Sequence, residues 1–372
     1  MKELQIKDIC DKGSSNLKQK DVEGKKGRYP VYGASGIISH IDTYHQEENY
    51  IAIVKDGSGI GRVSFMPAKS SVIGTMQYIL PKKGFNINYI GYCLQSLDLS
   101  TYKQGAAIPH IYFRDYGERI VKVSDDVNEQ QRIVDYLDSA FAKIDAMKAN
   151  AEKALNEAKA LFQASLKEML EPKEGWEEKE LQDICQIKGG KRLPRGYVLS
   201  SEPMPHRYIT VADFTKNGTV IPSTVKYISD EVYKTIKRYT ITSDDVYVTI
   251  VGSTVGKAGI IPPELDGANL TENACKLVLN SDYDKRFVYY LMCSEYVIKQ
   301  EQLLTKVSAQ PKLALNRLAS IVVYIPSLSE QQSIVTALDS LKSKVDHLQE
   351  NYTKISQECD ALKQAILRQI FE

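Results

Sequence analysis

Apolar residues recur with helical spacing over two long stretches of the chain, 128–171 and 329–372. The first stretch contains neither Pro nor Gly and is rich in Ala, Lys, Glu, Leu and Gln, which are good helix formers. Pro172 and Gly175 follow it and end the pattern. A helix of about 43 residues would be about 65 Å long. The sequence therefore predicts two long amphipathic helices.

The apolar positions of these helices form heptad rows. In the second helix the rows hold large residues, and in the first helix the same rows hold several small ones. This complementarity predicts that the two helices pack on each other, because each exposes an apolar stripe too long for one domain to cover. Two separate helices, each lying on its own domain or on another chain, remain the alternative. The rows are Ile334, Leu341, Leu348, Ile355 and Leu362 with Leu338, Val345, Tyr352, Cys359 and Ile366, against Ile133, Ala140, Met147, Ala154 and Leu161 with Leu137, Ile144, Ala151, Ala158 and Ser165.

The two helical stretches are copies of each other. Aligned without a gap, they share 19 identities in 44 positions, which is far more than chance gives. Fainter echoes precede each copy in the same order, so the whole unit is predicted to be duplicated. The echoes pair Leu4–Cys10 with Leu181–Cys185, Gly57–Arg62 with Gly252–Lys257, and Ala107-x-Pro109 with Ala309-x-Pro311.

The two remaining segments, 1–127 and 172–328, have a different pattern. They contain short β-branched and aromatic runs, such as Tyr50–Val54 and Asp245–Val251, bounded by Gly, Pro, Asn and Ser. Short helical patterns follow late in each segment, at 87–99 and 284–302. We expect two mixed α/β (α+β) domains, each with a twisted and largely antiparallel sheet.

Composition narrows the class of protein. The 48 Lys and Arg residues balance 47 Asp and Glu residues, so a nucleic-acid surface would need local segregation of charge. The six cysteines show no C-x-x-C pair, and free thiols suit a reducing cytoplasm. Neither a signal-peptide pattern nor an apolar stretch of about 18 residues occurs. We expect a soluble cytoplasmic protein that does not contact a membrane.

Several stretches resemble catalytic or cofactor-binding motifs but lack residues that those motifs require. Gly57–Gly61 lacks the helix that a dinucleotide loop requires, and Gly252–Lys257 lacks the glycine spacing and hydroxyl of a phosphate loop. The five histidines show no zinc-ligand spacing. Both glycine motifs end in a cation, Arg62 or Lys257, that could approach a DNA phosphate, although a plain structural hairpin explains them equally well. No metal site and no catalytic residue is predicted.

Basic residues are dense near the start of each globular segment. Both stretches are punctuated by Gly, which indicates loops, where long cations and backbone amides can reach phosphates. An ordinary solvated surface is the alternative for either stretch alone, but two at corresponding places favour DNA. The candidate DNA-binding residues are Lys12, Lys18, Lys20, Lys25, Lys26, Arg28 and Tyr32 in the first copy, Lys188, Lys191, Arg192, Arg195 and Tyr197 in the second, and the two turn cations Arg62 and Lys257.

One set of motifs is specific when its members are taken together: the run Tyr29–Ile38 (YPVYGASGII), Lys55-Asp56-Gly57, Gly74-Thr75 and the Glu-Gln-Gln start of both long helices. Through these motifs the whole chain resembles the specificity subunits of type I restriction-modification systems. The chain is rather short for that family. Its first copy also lacks the Pro that Ile325-Pro326 places before the second helix.

The resemblance implies two target recognition domains joined and separated by a long antiparallel two-helix coiled coil. Target recognition domain 1 would span 1–127, the first spacer helix 128–171, domain 2 172–328, and the second spacer helix 329–372. The family further implies that this chain is not catalytic and binds no cofactor. S-adenosylmethionine, ATP and Mg are expected in its partners, namely two modification (methyltransferase) subunits and the restriction (translocase/endonuclease) subunits.

These expectations combine into a mechanism. Two domains held at fixed separation and opposite orientation would each face double-stranded DNA about one turn, ~34 Å, apart, so each would read half of a bipartite site. Two non-identical domains predict two different half-sites. The helix starts are candidate sites for binding the modification subunits, through Glu129, Gln130, Gln131, Glu330, Gln331 and Gln332. Two rivals remain: a structural or regulatory coiled-coil protein without a DNA target, and an enzyme whose site the sequence does not reveal.

Overall fold

The computed structural model describes residues 1–105, 108–305 and 311–372. Ala107 and Ala309 of the repeated Ala-x-Pro motif lie outside the described residues. The chain forms two compact units, Met1–Ala154 with Glu350–Glu372 and Leu155–Gln349. Each unit contains one globular copy and a part of each long helix.

The first unit begins with a globular copy whose described residues form nine strands and four short helices, and the first long helix follows. A 3₁₀ turn at Leu99–Tyr102 lies after α3. The strands are Lys2–Gln5 (β1), Cys10–Ser14 (β2), Tyr29–Gly33 (β3), Gly36–Ile41 (β4), Tyr50–Val54 (β5), Val63–Met66 (β6), Ser71–Val72 (β7), Met76–Pro81 (β8) and Ile120–Val123 (β9). The helices are Ile6–Ile9 (α1), Gln19–Val22 (α2), Ile87–Ser96 (α3), Phe113–Tyr116 (α4) and Val127–Leu170 (α5).

The second unit repeats this order with additional short elements. Its 3₁₀ turns are Val211–Asp213, Pro222–Thr224 and Pro263–Leu265. The strands are Glu177–Glu180 (β10), Cys185–Gly189 (β11), His206–Ile209 (β12), Lys226–Ile228 (β13), Thr240–Ile241 (β14), Val246–Thr249 (β15), Ala258–Gly259 (β16), Ala268–Leu270 (β17), Ala274–Leu279 (β18) and Val322–Ile325 (β19). The helices are Leu181–Ile184 (α6), Asp230–Ile236 (α7), Lys285–Met292 (α8), Glu295–Leu304 (α9), Leu315–Ala319 (α10) and Leu328–Phe371 (α11).

Sheet topology is repeated between the two units. A four-stranded sheet in the order β2-β8-β5-β6 corresponds to β11-β18-β15-β16, and the terminal pair β1-β9 corresponds to β10-β19. A further sheet, β4-β3-β7 in the first unit and β13-β12-β17-β14 in the second, contains one parallel pair in each case. All other strand pairs are antiparallel, among the residues that the structure describes. The expected mixed α/β class and the internal duplication are confirmed.

The central strands are buried along their whole length. All five residues of Tyr50–Val54 are buried, as are all four of Val246–Thr249. A strand buried on both faces shows a continuous apolar run rather than alternation, which explains the pattern in the sequence. The second helical pattern, predicted as one segment at 284–302, is divided by Cys293 and Ser294 into α8 and α9.

The long helices α5 and α11 each contain 44 residues. Within the first unit they pair in antiparallel fashion. Two salt bridges show this, with Lys363 Nζ 2.6 Å from Asp145 Oδ1 and Lys148 Nζ 3.3 Å from Asp360 Oδ1. Within the second unit, Lys159 Nζ donates to Gln349 Oε1 at 2.7 Å.

The heptad rows are only partly buried. Leu137 and Ile144 are buried, whereas Met147 and Leu161 of the other row are 60% and 57% exposed and Leu362 is 48% exposed. The expectation that both rows line the helix pair is therefore wrong at these positions. A straight helix drifts by about 20° per heptad, so a strict seven-residue row turns away from its partner.

Each long helix is also part of a globular core. In the first unit, Val134, Leu137 and Phe371 belong to the same apolar cluster as Tyr89 and Ile90. In the second unit, Leu166, Ile334 and Leu338 join the cluster around Phe287 and Val288. Burying several such side chains fixes each globular copy to its helices, since each contributes about 1.5–3 kcal/mol. Among the described residues, no helix is long and apolar enough to cross a membrane.

Candidate nucleic-acid interface

The first basic cluster extends from the residue before α2 to the segment just after it. The side chains of Lys18, Lys20, Lys25, Lys26 and Arg28 are all exposed. The segment is held on β4, because Ser39 Oγ donates to the carbonyl oxygens of Val22 and Lys25 and the amide of Gly27 donates to His40 O at 2.9 Å. The structure thus presents five cations on one short segment with a firmly attached backbone.

Two further candidates in this unit are placed differently. Lys12 is exposed on β2, opposite Ile79. Tyr32 is only half-buried and packs on the cluster that contains Tyr50 and Tyr78. Much of the Tyr32 ring is therefore buried within the fold.

The second basic cluster lies on β11 and the loop that follows it. Lys188 and Arg195 are exposed, and the ammonium of Lys191 lies 5.6 Å from the centre of the Tyr239 ring. Arg192 Nε contacts Glu272 Oε1 at 2.6 Å, which raises the pKa of the guanidinium. A hydrogen bond to Glu231 raises the pKa of Tyr197. The charge of Arg192 is thus partly compensated by a neighbouring carboxylate.

The cations at the ends of the two glycine turns each bind a backbone carbonyl of another segment. Arg62 donates to the carbonyl oxygen of Ala34, and Lys257 Nζ donates to that of Phe214. Burial, reinforced by Lys216, lowers the pKa of Lys257. Each hydrogen bond therefore attaches a glycine turn to another segment of the same unit.

The repeated glycine turn and the repeated proline motif meet in space. The amide of Gly57 donates to Pro109 O at 3.0 Å, and the amide of Gly252 donates to Pro311 O at 2.9 Å. Both glycines have a positive φ, of 84° and 104°, which L residues rarely adopt. Two echoes that lie far apart in sequence thus form one structural element in each unit.

The Glu-Gln-Gln starts of the long helices serve first to attach each helix to its globular copy. Gln130 and Gln331 are 0% and 1% exposed. Gln130 accepts from the amide of Asn86 and donates to the carbonyls of Gly84 and Ser124. Gln331 accepts from the amide of Asp284 at 2.9 Å and donates to Pro326 O at 3.0 Å.

The outer residues of these sets are also engaged. Ser124 Oγ donates to Glu129, and Trp176 Nε1 donates to Glu330 Oε1 at 3.2 Å. Gln131 and Gln332 are exposed. Gln130 and Gln331 are therefore shielded from solvent, whereas Gln131 and Gln332 are accessible on the outer face of each helix start.

Comparison with known proteins identifies the family. The family model described as type I restriction modification DNA specificity domain matches residues 1–157 and again residues 173–357. The chain belongs to this family. Its two copies are the two target recognition domains of a specificity subunit.

Relatives and solved structures agree with this assignment. The MjaVIII specificity subunit of Methanocaldococcus jannaschii is 24% identical over 352 residues, covering 86% of this chain and 77% of the relative. The EcoBI specificity subunit of Escherichia coli is 25% identical over 271 residues, covering 65% of this chain and 56% of the relative. A chain from a solved type I restriction-modification assembly superposes with a TM-score of 0.75 at 16% identity, covering 98% of this chain and 96% of the other. The HsdS subunit of Thermoanaerobacter tengcongensis superposes with a TM-score of 0.54 at 14% identity, covering 98% and 95%.

A second repeated contact attaches each recognition domain to its long helix, and sequence reasoning did not find it. Tyr92 of α3 donates to Asp138, and Tyr290 of α8 donates to Asp339. The aspartates are identical in the aligned helices, and this identity was the sequence feature that could have indicated the contact. Their tyrosine partners lie about 46 and 49 residues away in sequence and become apparent only in the fold.

An exposed aromatic loop of the first recognition domain was also missed. His110 and Tyr112 stack with ring centres 6.3 Å apart, and Arg114 lies 4.7 Å from the centre of the Tyr112 ring. The loop directly follows Pro109, so the Ala-x-Pro echo marked its position but not its chemistry. Within the described ranges, no group of three His, Cys, Asp or Glu residues could hold a metal ion.

Proposed function

We propose that this specificity subunit reads a bipartite, asymmetric site in double-stranded DNA, with one half-site read by each target recognition domain. The proposal rests on one observation: the two domains share the same sheet framework but expose different side chains. The first copy presents five cations from Lys18 to Arg28, and the second presents the shorter series from Lys188 to Arg195. Loops rich in cations suit phosphates, and different side chains on equal frameworks suit different half-sites.

The chain is proposed to be a non-catalytic member of its complex. Two modification subunits would methylate adenine with S-adenosylmethionine, and restriction subunits would translocate and cut DNA with ATP and Mg. The complex would act in the cytoplasm of a prokaryotic cell, where the DNA lies. The isolated chain should show no methylation, ATP hydrolysis or cleavage, and turnover by the isolated chain would refute this assignment.

The modification subunits are proposed to dock on the outer faces of the two helix starts. Support comes from exposed residues such as Gln131, Arg132, Asp135 and Gln332, which surround the buried Gln130 and Gln331. Charge reversal by Arg132→Glu with Asp135→Lys alters only the first helix start, so the purified complex should retain one modification subunit instead of two. Lys344→Glu, on an exposed position further along α11, is the matched control. A complex that keeps both modification subunits after the double reversal would argue against this docking surface.

The decisive test of the proposed function is a map of methylated adenines in genomic DNA with and without the gene. A two-part motif should be methylated only when the gene is present. A structural or regulatory coiled-coil protein would leave the methylation map unchanged.

The basic cluster on α2 is tested by the salt dependence of DNA binding. Each phosphate contact contributes about 0.9 to the slope of log K against log salt concentration, so Lys25→Ala/Lys26→Ala/Arg28→Ala should flatten the slope by up to about 2.7. Lys143→Ala/Lys344→Ala removes exposed lysines from the long helices and should leave the slope unchanged. Equal slopes for the triple variant and the unsubstituted protein would remove these three residues from the interface.

A further inference from the structure

The segment after the repeated proline is built on the same backbone framework in both recognition domains. In the first domain, the amide of Ile111 donates to Lys55 O at 2.9 Å, next to the bond between Gly57 and Pro109. In the second, the amide of Leu313 donates to Ile250 O at 2.9 Å, next to the bond between Gly252 and Pro311. A short helix then follows in each, α4 or α10. The two segments can therefore be compared residue by residue.

Inward positions of this segment are apolar in both domains. Ile111 corresponds to Leu313, with exposures of 1% and 0%, and Tyr116 corresponds to Leu318, with exposures of 0% and 0%. These residues keep the segment attached to the core in each domain. The framework is therefore preserved by ordinary apolar packing.

Outward positions of the same segment differ completely. Lysine, alanine and asparagine stand in the second domain where the first has histidine, tyrosine and arginine. The corresponding pairs are His110 with Lys312, Tyr112 with Ala314, and Arg114 with Asn316. Surface side chains that vary on a common framework are what two domains need if they recognise different sequences.

In the first domain these outward side chains form an ordered stack. Asp56 Oδ1 lies 2.7 Å from His110 Nδ1 and fixes the imidazole, whose ring is inclined by 25° to that of Tyr112. Tyr112 is 43% exposed, and the Arg114 side chain is 73% exposed with Nε 3.5 Å from Asp115. Arginine can bind guanine in two-pronged fashion, and an aromatic ring can contact a thymine methyl or a base face. The stack thus presents base-reading groups in a preformed arrangement.

We propose that positions 110, 112 and 114 of the first domain, and 312, 314 and 316 of the second, determine sequence specificity by contacting base edges of their half-sites. The inference rests on the proposed function. A modification subunit bound in two copies would require similar residues at both places, and the observed residues are dissimilar. DNA with two unlike half-sites requires unlike base-reading residues in the two domains, and these positions provide them.

The test exchanges the outward residues between the domains in the full chain, assembled with its modification subunits. Variant one is His110→Lys/Tyr112→Ala/Arg114→Asn, and variant two is Lys312→His/Ala314→Tyr/Asn316→Arg. Each complex selects from a pool of randomised duplexes, and the recovered sequences are compared. Variant one should lose discrimination at one or more positions of one half-site, by about 5-fold to 150-fold per lost contact. Variant two should change the other half-site only.

The remaining outcomes separate this inference from the proposed function. If the unsubstituted complex selects no sequence, the proposed function fails. If it selects a bipartite site and neither exchange alters either half, the specificity assignment is overturned. Equal weakening on all sequences would also overturn it, because that result indicates phosphate contacts. So would loss of the modification subunits on size-exclusion chromatography. Circular dichroism of each variant checks that the exchange leaves the fold intact.

Discussion

Replacing Gln331 by Ala should loosen the attachment of the second recognition domain to its long helix. The side chain is 1% exposed and links the amide of Asp284 to the carbonyl of Pro326, at 2.9 and 3.0 Å. Truncation leaves both backbone groups without this partner, and an unsatisfied buried group costs about 1–3 kcal/mol. Because Asp284 is only half-buried, water can compensate part of this cost. We expect a loss of about 2–4 kcal/mol in the free energy of unfolding.

The assay should resolve which unit is weakened, because a chain with two compact units need not unfold in one step. Hydrogen exchange followed by mass spectrometry should show lost protection in peptides that cover α8 and the start of α11. Peptides that cover α3 should be unchanged, and Gln130→Ala should give the reverse pattern. Gln332→Ala alters an exposed neighbour and should change stability by less than about 0.5 kcal/mol. If Gln331→Ala and Gln332→Ala exchange and unfold alike, the buried glutamine is not a structural link.

Three further predictions concern the second unit. Burial raises the pKa of Glu301 from 4.5 to about 8, so the folded chain retains a proton that the unfolded chain releases, and stability should fall as pH rises through this window. In urea titrations, the Glu301→Gln variant should show a flatter dependence of the unfolding free energy on pH. At pH 8 it should be more stable than the unsubstituted protein by up to about 4 kcal/mol, and parallel pH profiles of the two proteins would refute this. Tyr290→Phe removes the hydrogen bond to Asp339 and should cost about 1–2 kcal/mol in the same assay, and no loss would show that bond to be dispensable. Gly256→Ala should lower the melting temperature more than Gly252→Ala. The reason is that a Cβ at Gly256 would lie 2.3 Å from a Glu301 oxygen, whereas a Cβ at Gly252 would have no atom within 4 Å. Equal melting temperatures of the two variants would contradict this.

Much of the fold could be predicted from local patterns. The duplication, the two long helices and the strand-rich character of the globular copies follow from periodicity and from the aligned identities. These features depend on residues that are close in sequence, since a helix or a strand requires only that apolar side chains recur at its own period. Even the glycine turns were recognisable, because positive φ favours glycine.

The candidate site depended more on tertiary structure. The sequence placed Arg62 and Lys257 at the ends of turns, but only the fold shows that they donate to the carbonyls of Ala34 and Phe214. Likewise, an exposed and a buried glutamine stand side by side at each helix start, and local pattern does not distinguish them. The direction of a polar side chain is decided by whichever distant segment offers it a partner.

The sequence by itself thus determined that this chain is two versions of one unit, and where each version begins its long helix. Only the tertiary structure decided which repeated residues hold the framework and which face outward, as with Ile111 and Tyr112. Periodicity encodes the element, whereas exposure depends on packing between segments that are far apart along the chain. In the segment after the repeated proline, the framework residues stay apolar and buried in both domains, whereas the outward positions change their chemical character from one domain to the other.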